Sequence, residues 1–598
     1  MSADSAGKLT PGRLAANLCL TANTVREHLG DDPVVLALQV ARRLPSAPVS
    51  VAAALAARLG RADASVVGAI AHVVRGHEQT AAERIERARA HQLSPERARK
   101  LADVATAMAE IDLAERLLDG LPSSARVATS AARLAWHRGQ MSEAVALLAP
   151  YASGPQRDRA AATLHGRLAS ELATFSGRRP RVEAPESYAP VAHRVLHMAT
   201  NSLPHTGSGY AQRTHSILVA LREAGWEVAA ATRLGYPVQV GKPWAADVDV
   251  VDGIEYRRML PSRLAAGFDA RLQQQAEELA RMVEEFRPAI LHTTTHFVNG
   301  LVVRAVAEAY GLRWVYEARG QLADTWASTR GPAAKDSERY RLFKEREAEV
   351  ARHADAVVTL GEAMRTELIG QGVSAERLEI CPNAVGESFL AEPGGTTAAR
   401  QELGLPAQGL YVGTVSSIVG YEGLDTLVEA FALLAAERGD IRLLIAGDGA
   451  ALPGLKHRVA QLGLGDRVIF PGRIPRPQAS TYHQALDVFS VPRKDLEVTR
   501  QVTPLKLVEA SASRRPVVAS NLPALAELVE DSVTGYLAAP EDPADLAAKI
   551  GTFFDDAALR ERFGQAGRAW ALADRTWEAN AAKYTAVYER LGGTRSTV

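Results

Sequence analysis

The stretch "RQVTPLKLVEA", residues 500–510, gathers groups suited to holding an anion and a hydroxyl. Thr503 is a good N-cap. Pro504 suits the first helical position, because it has no N–H to leave unpaired. The N–H groups from Leu505 onward would then form an open helix end, where anions are favoured. Lys506 and Glu509 stand three apart and share one helical face. One is a cation, and the other accepts hydrogen bonds from hydroxyls. Just upstream, "VPRKDLEVTRQ" adds Arg493, Lys494 and Arg500 at an expected strand end. Cations gathered there, beside a helix N-terminus, suit phosphate. Gln501 precedes them.

Other motifs are weaker alone. "NSLPHTGSGYAQRTH" (201–215) follows an expected strand and opens a helix, and Gly207, Ser208 and Gly209 would let a ligand approach the backbone. It lacks the third glycine of a dinucleotide fingerprint, and an ordinary strand-to-helix turn accounts for it equally well. "GTVSSIVGYEG" (413–423) occupies a phosphate-loop position by topology, with Gly413, Ser416 and Glu422. It holds no Lys or Arg, so cations must come from elsewhere. His292 and His296 have the i, i+4 spacing of helical metal ligands, but the segment crosses a strand end and the side chains need not converge. "DVDVVDG" (247–253) has an Asp-x-Asp pattern far from the strand ends facing the cleft and reads as a solvated turn. No metal site is expected.

These groups need a scaffold, and 598 residues imply two to four domains. Hydrophobic content of 47% and charged content of 23% are those of a soluble globular protein. The 69 Lys+Arg balance 69 Asp+Glu, which argues against a nucleic-acid binder. Two cysteines allow no disulfide framework, pointing to a reducing compartment. The start lacks the apolar core of a signal peptide, and no stretch approaches a membrane span. A cytoplasmic location is expected, with membrane contact at most peripheral, at the inner face.

Residues 1–178 are rich in Ala, Arg and Leu at helical spacing. "GHEQTAAERI", "EIDLAERLL" and "GQMSEAVALL" recur at about thirty residues, the period of helix-pair repeats. An Ala-rich bundle is the other reading, and either would offer a surface for a protein partner. Residues 179–190 read as a linker. Strands and helices then alternate through residues 191–395 and again through 396–574, the pattern of two parallel sheets covered on both faces. Residues 575–598 supply a closing helix that crosses back. Two doubly wound, Rossmann-like α/β domains facing a cleft are expected to bind ligand at the strands' carboxyl ends.

Taken in order, these segments resemble the retaining glycosyltransferases of family four, with the GT-B fold. The resemblance covers about residues 190–592 and rests on "TGSGYAQRTHSILVALREAGWEV", "LEICPNAV", "YVGTVSSIVGYEGLDTLVEAFALL", "IRLLIAGDG", "LGLGDRVIFPGRI", "EASASRRPVVASNLPALAELVEDSVTGYL" and "WEANAAKYTAVYERL". The spelling "YEGLD … YEARG … VTPLK" is similar to a subgroup associated with envelope or exopolysaccharide synthesis. The resemblance implies a nucleotide-sugar donor, UDP- or GDP-linked, in the second half. It implies a glycan, lipid-linked or small-molecule acceptor in the first, on the side of His292, His296, Asn299 and Glu317. No cofactor is required. Glu509 matches the carboxylate that holds the ribose, an interaction of about 1.5–3 kcal/mol. Gly472, Arg473 and Ile474 fall where the family's backbone reads the base.

Three departures stand out. Gln501 replaces the family's first Glu, the Arg and Lys of the 413–423 loop are absent with Glu422 at the Lys-Gly position, and Arg319 replaces a His. Either the protein is a non-catalytic pseudo-transferase that recruits partners through its helical region, or the site is rebuilt. In a rebuilt site Lys506 and Arg493 hold the diphosphate, Arg319 stands opposite near the sugar, and Glu422 binds a hydroxyl or orients Lys506.

Overall fold

The computed structural model describes residues 9–31, 65–75, 77–91 and 93–592. The first eight residues, other parts of the expected 1–178 helical region and the last six residues lie outside them.

Eight strands form the first sheet: β1 (Arg194–Ala199), β2 (Glu227–Thr232), β3 (Val248–Val251), β4 (Ile254–Arg257), β5 (Ile290–Thr294), β6 (Arg313–Ala318), β7 (Ala356–Thr359) and β8 (Leu378–Ile380). Their order is β3-β4-β2-β1-β5-β6-β7-β8, parallel except for the antiparallel β3–β4 pair. Six strands form the second sheet: β9 (Leu410–Val415), β10 (Ile441–Ala446), β11 (Val468–Gly472), β12 (Val488–Val491), β13 (Val517–Ser520) and β14 (Gly535–Ala538). Their order, β11-β10-β9-β12-β13-β14, is the doubly wound arrangement. The order in which strands are added reverses between β1 and β5 in one sheet and between β9 and β12 in the other. Ligand crevices open at such points. The central strands are largely buried on both faces, which is why "IRLLIA" and "VFSV" read as mainly apolar runs.

Two expectations change here. The segment 247–253 is no solvated turn. Val248–Val251 forms a hairpin with β4, and Asp249 is buried, accepting from Arg258 Nε at 2.8 Å and bonded to His205 at 3.1 Å. A cation partner makes burial of that carboxylate tolerable. Strand β8, inside "LEICPNAV", was too short to announce itself.

Before β1 the described elements are helices: Pro11–Asp31, Val66–Val74, Glu78–Arg89, Pro95–Ala107, Ile111–Leu118, Ala125–Arg138, Met141–Ala152 and Arg159–Phe175. This layer is fused to the first sheet's core. Leu20, Met141 and Phe175 belong to the same apolar cluster as Leu196, Leu291 and Phe343. Phe175 packs edge-on against Phe297 and Phe343, with ring centres 5.3 and 5.4 Å away. Polar contacts add to this: Ser142 N–H donates to Glu338 at 2.7 Å, and Arg178 pairs with Asp269 at 2.5 Å. Gly139, at φ 85°, ends helix Ala125–Arg138, and a Cβ there would lie 2.6 Å from Ser337 Oγ. Only glycine allows so close an approach at that φ. The closing helix, Trp577–Arg590, packs on the first half, where Tyr584, Val587 and Tyr588 join Val195, Ile217 and Val315.

Candidate active site

The switch point of the second sheet puts two loops side by side. One leaves β9 at Val415, and the other leaves β12 at Val491. A short turn, Gly420–Glu422, follows the first. Gly423 then takes φ 67°, and a Cβ there would sit 1.8 Å from the Pro492 carbonyl. That contact brings Glu422 beside Arg493. Arg493 Nε and Nη2 each donate to Glu422 at 3.1 Å, and its Nη1 donates to the Val502 carbonyl at 2.6 Å. Lys506 Nζ donates to the same carboxylate and to Ser416 Oγ at 2.8 Å. The trio carries one net positive charge and is almost fully buried. Burial alone would raise the Glu422 pKa, but Arg493 and Lys506 hold it down at about 2. Burial lowers Lys506 to about 8, against the opposing pull of Glu422.

The helix that carries Lys506 begins differently from expectation. It spans Leu505–Ala512, and its N-cap is Pro504, extended at φ −87°, ψ 135°. Thr503 lies outside it and caps nothing, because the proline's extended backbone sets the helix start one residue later. The Thr503 hydroxyl and the Gln501 side-chain oxygen are buried without a hydrogen-bond partner. Gln501 instead donates to Glu497 at 3.4 Å, within the short helix Glu497–Gln501. Glu509 is buried, with Arg476 at 2.6 Å and His483 at 3.5 Å. Burial raises its pKa, and His483 and Arg476 more than reverse that. Gly472 ends β11 at φ 79°, and Arg473 and Ile474 follow in the loop. Gly413 lies inside β9, where a Cβ would come 1.9 Å from the Leu444 carbonyl. Strand packing, not ligand approach, accounts for that glycine.

In the first half, Ser208 accepts from Ala211 N–H at 3.3 Å and caps helix Gly209–Glu223, leaving Gly207 and Gly209 exposed. The expected acceptor-side residues are mostly beneath the surface. His292 and Glu317 are fully buried, and Asn299 nearly so. Asn299 ties the ends of β1 and β5 by donating to Thr200 Oγ1 at 2.8 Å and the Thr294 carbonyl at 3.3 Å. His296 caps helix Phe297–Tyr310 and stacks on Phe343, and burial lowers its pKa to about 4. His292 stacks on His197 instead, so the two histidines do not converge. Among the described residues no group of three or more His, Cys, Asp or Glu could hold a metal ion.

Arg319 also turns inward. It donates to Glu317 at 2.7 Å, Thr214 Oγ1 at 2.8 Å and the Tyr210 carbonyl at 2.9 Å. Glu317 receives Arg213 Nε at 2.8 Å and Tyr584 Oη at 3.0 Å as well. Burial would raise the Glu317 pKa, but Arg319 and Arg213 keep it well below the usual range. The placement expected for Arg319, beside the sugar and facing Lys506, is replaced by this first-half network, since Glu317 is its counter-ion.

Sequence reading assigned no role to Arg213, Asn383, Arg476 or His483. Each acts through tertiary contacts that leave no local spacing signal. Asn383, within the quoted "CPNAV", was the one with a motif to flag it. Its Nδ2 donates to the Thr503 carbonyl at 2.9 Å, across the two halves.

Two doubly wound sheets with a cationic pocket at the switch point define a GT-B protein. Residues 208–384 match the family described as glycosyl transferase 4-like domain, and residues 396–570 match glycosyl transferases group 1. It is 32% identical over 246 residues to the 2-deoxystreptamine glucosyltransferase of Streptomyces kanamyceticus, covering 40% of this chain and 62% of that one. It is 28% identical over 249 residues to the GDP-mannose-dependent alpha-(1-6)-phosphatidylinositol monomannoside mannosyltransferase of Mycolicibacterium smegmatis, covering 41% and 64%. The chain therefore spans less than two thirds of either relative's length. In fold it is similar to sucrose-phosphate synthase from Thermosynechococcus elongatus, with TM-score 0.56 and 22% identity, covering 67% of this chain and 99% of that one. It is also similar to HepE from Anabaena in complex with UDP and glucose, with TM-score 0.54 and 17% identity, covering 66% and 99%.

Proposed function

We propose that the chain is a retaining glycosyltransferase. It moves a sugar from a UDP- or GDP-sugar to a glycan, lipid-linked or small-molecule acceptor in cell-envelope or polysaccharide synthesis. The observation that carries this reading is the placement of Lys506. Its ammonium rests on Ser416 and Glu422, in the loop where the resembling family keeps its own cations. A cation lost from one loop has been returned to the same pocket from another. There it would stabilise charge developing on the departing diphosphate, a contribution of roughly 3 kcal/mol. Arg493 stands beside it, with Glu422 fixing both.

Gln501 and Thr503 present unpartnered buried polar atoms next to Lys506 and would hold sugar hydroxyls. Glu509 would hold the ribose, with Arg476 giving way. In such retaining transfer the leaving phosphate takes the acceptor proton, so Gln501 need not be a base. The protein supplies positioning and electrostatics, and a metal has no step to perform.

The pseudo-transferase reading draws on one observation: Glu422 neutralises part of the pocket's charge. It is the weaker reading, because a carboxylate that orients two cations also preorganises them. No helix among the described residues is long and apolar enough to cross a membrane, which fits peripheral contact with a lipid-linked acceptor. The helical layer would shape the acceptor side, to which it is fused. Incubation with a panel of nucleotide sugars, reading nucleoside diphosphate release with and without EDTA, tests this. Release insensitive to EDTA is expected, and absence of release from every donor contradicts it.

A further inference from the structure

The chain crosses between the halves at residues 381–386 and 574–577, and the two crossings run together. Val385 N–H donates to the Arg575 carbonyl at 2.8 Å, and Val385 bridges Thr576. Arg213, on helix Gly209–Glu223 of the first half, grips this junction. Its Nη2 donates to the Cys381 carbonyl at 2.6 Å and to Tyr584 Oη at 3.1 Å. Its Nη1 donates to the Pro382 carbonyl at 2.8 Å and to Asn383 Oδ1 at 3.3 Å. Nε faces Glu317, and the Trp577 ring lies 5.5 Å from the guanidinium. The side chain is 3% exposed. A guanidinium so buried is stable only with its charge paired and its donors answered. A lysine, with three donors at one point, could not span the same acceptors. From there Asn383 carries the connection on, donating to the Thr503 carbonyl. Thr503 lies between Gln501 and Lys506.

We propose that Arg213 and Asn383 are positioning residues: through the crossing at 381–383 they set where the 501–506 segment stands against the first half. Neither touches a reacting group in this arrangement. The structural part stands on these contacts alone, and its kinetic consequence rests on the glycosyltransferase reading. The relay links the helix behind the exposed 207–209 loop to the segment bearing Lys506, so both walls of the cleft share one anchor. A misplacement of about 1 Å at such a site costs about a hundredfold in rate.

Asn383→Asp separates positioning from stability. It keeps an acceptor for Arg213 and removes the donor to Thr503. In ligand-free protein, amide exchange at 501–506 is expected to rise at least about tenfold, while strand Ile441–Ala446 keeps its protection. In the donor-release assay kcat is expected to fall about a hundredfold with donor KM within about threefold. Arg213→Lys is the second variant and is expected to show the same local rise in exchange. Unchanged exchange at 501–506 in both variants overturns the proposal. So does an even loss of protection across the chain, which would assign the residues to stability alone. A wild-type protein that releases no nucleoside diphosphate, yet shows the local exchange change on Asn383→Asp, contradicts only the glycosyltransferase reading.

Discussion

Lys506 donates to the carboxylate of Glu422, 84 residues away in the chain, and Arg493 grips both oxygens of the same carboxylate. Two cations and one anion share a pocket that water barely reaches. The anion keeps the cations together, and a diphosphate would bring a second anion to the same place.

Glu422→Gln should therefore be costly without ligand and rescued by it. Removing one partner of a buried ion pair costs about 3–5 kcal/mol, because the remaining charges are left uncompensated. A bound diphosphate restores compensation. Thermal unfolding with and without saturating UDP or GDP should show a lower Tm for the variant and a larger ligand-induced rise than in wild type. Equal ligand-induced rises would mean that the pocket does not bind the diphosphate.

The Lys506 ammonium gives a basic limit to activity. Its pKa is lowered to about 8 by burial, so the charged form is present below that pH and is lost above it. The profile of kcat/KM reports groups of the free enzyme and should fall above about pH 8. Bound diphosphate favours the ammonium, so the basic limb of kcat should lie at higher pH. Profiles of both parameters from pH 6 to 10 check this, and coincident limbs would contradict it.

Deleting residues 1–178 should not leave a free-standing catalytic part. Phe175 covers Phe297 and Phe343, and Leu20 and Met141 fill the same core. Uncovering that surface leaves a large apolar patch. Size-exclusion chromatography and dye binding should show association or exposed hydrophobic surface. A monodisperse, dye-silent product would show the helical layer to be dispensable.

Much of the architecture was legible. The inner strands of the second sheet stand out because burial on both faces produces mainly apolar runs. The β3–β4 hairpin did not, since the alternating acids of "DVDVVDG" look like a solvated turn until Arg258 is placed against Asp249. Within the site, the clustering of Arg493 and Lys506 could be read from the strand-end position of their segments. The inward turn of Arg319 could not, because its partner Glu317 is two residues away on a strand whose facing is set by the sheet. His292 and Asn299, expected on the acceptor side, are buried for the same reason: nearness to a strand end does not fix which way a side chain points. The N-cap at Thr503 was missed by one residue, because proline allows either the helical or the extended start and packing chose the extended one.

In the proposed glycosyltransferase, Lys506 supplies the charge that the 413–423 loop lacks. The most direct test is the steady-state rate of Lys506→Ala beside Lys506→Arg, with the donor that the screen identifies. A fall in kcat of about 10²–10³-fold is expected for Lys506→Ala, with the fold intact by circular dichroism and a partial return of rate in Lys506→Arg. A folded Lys506→Ala protein that turns over donor at the wild-type rate would contradict it.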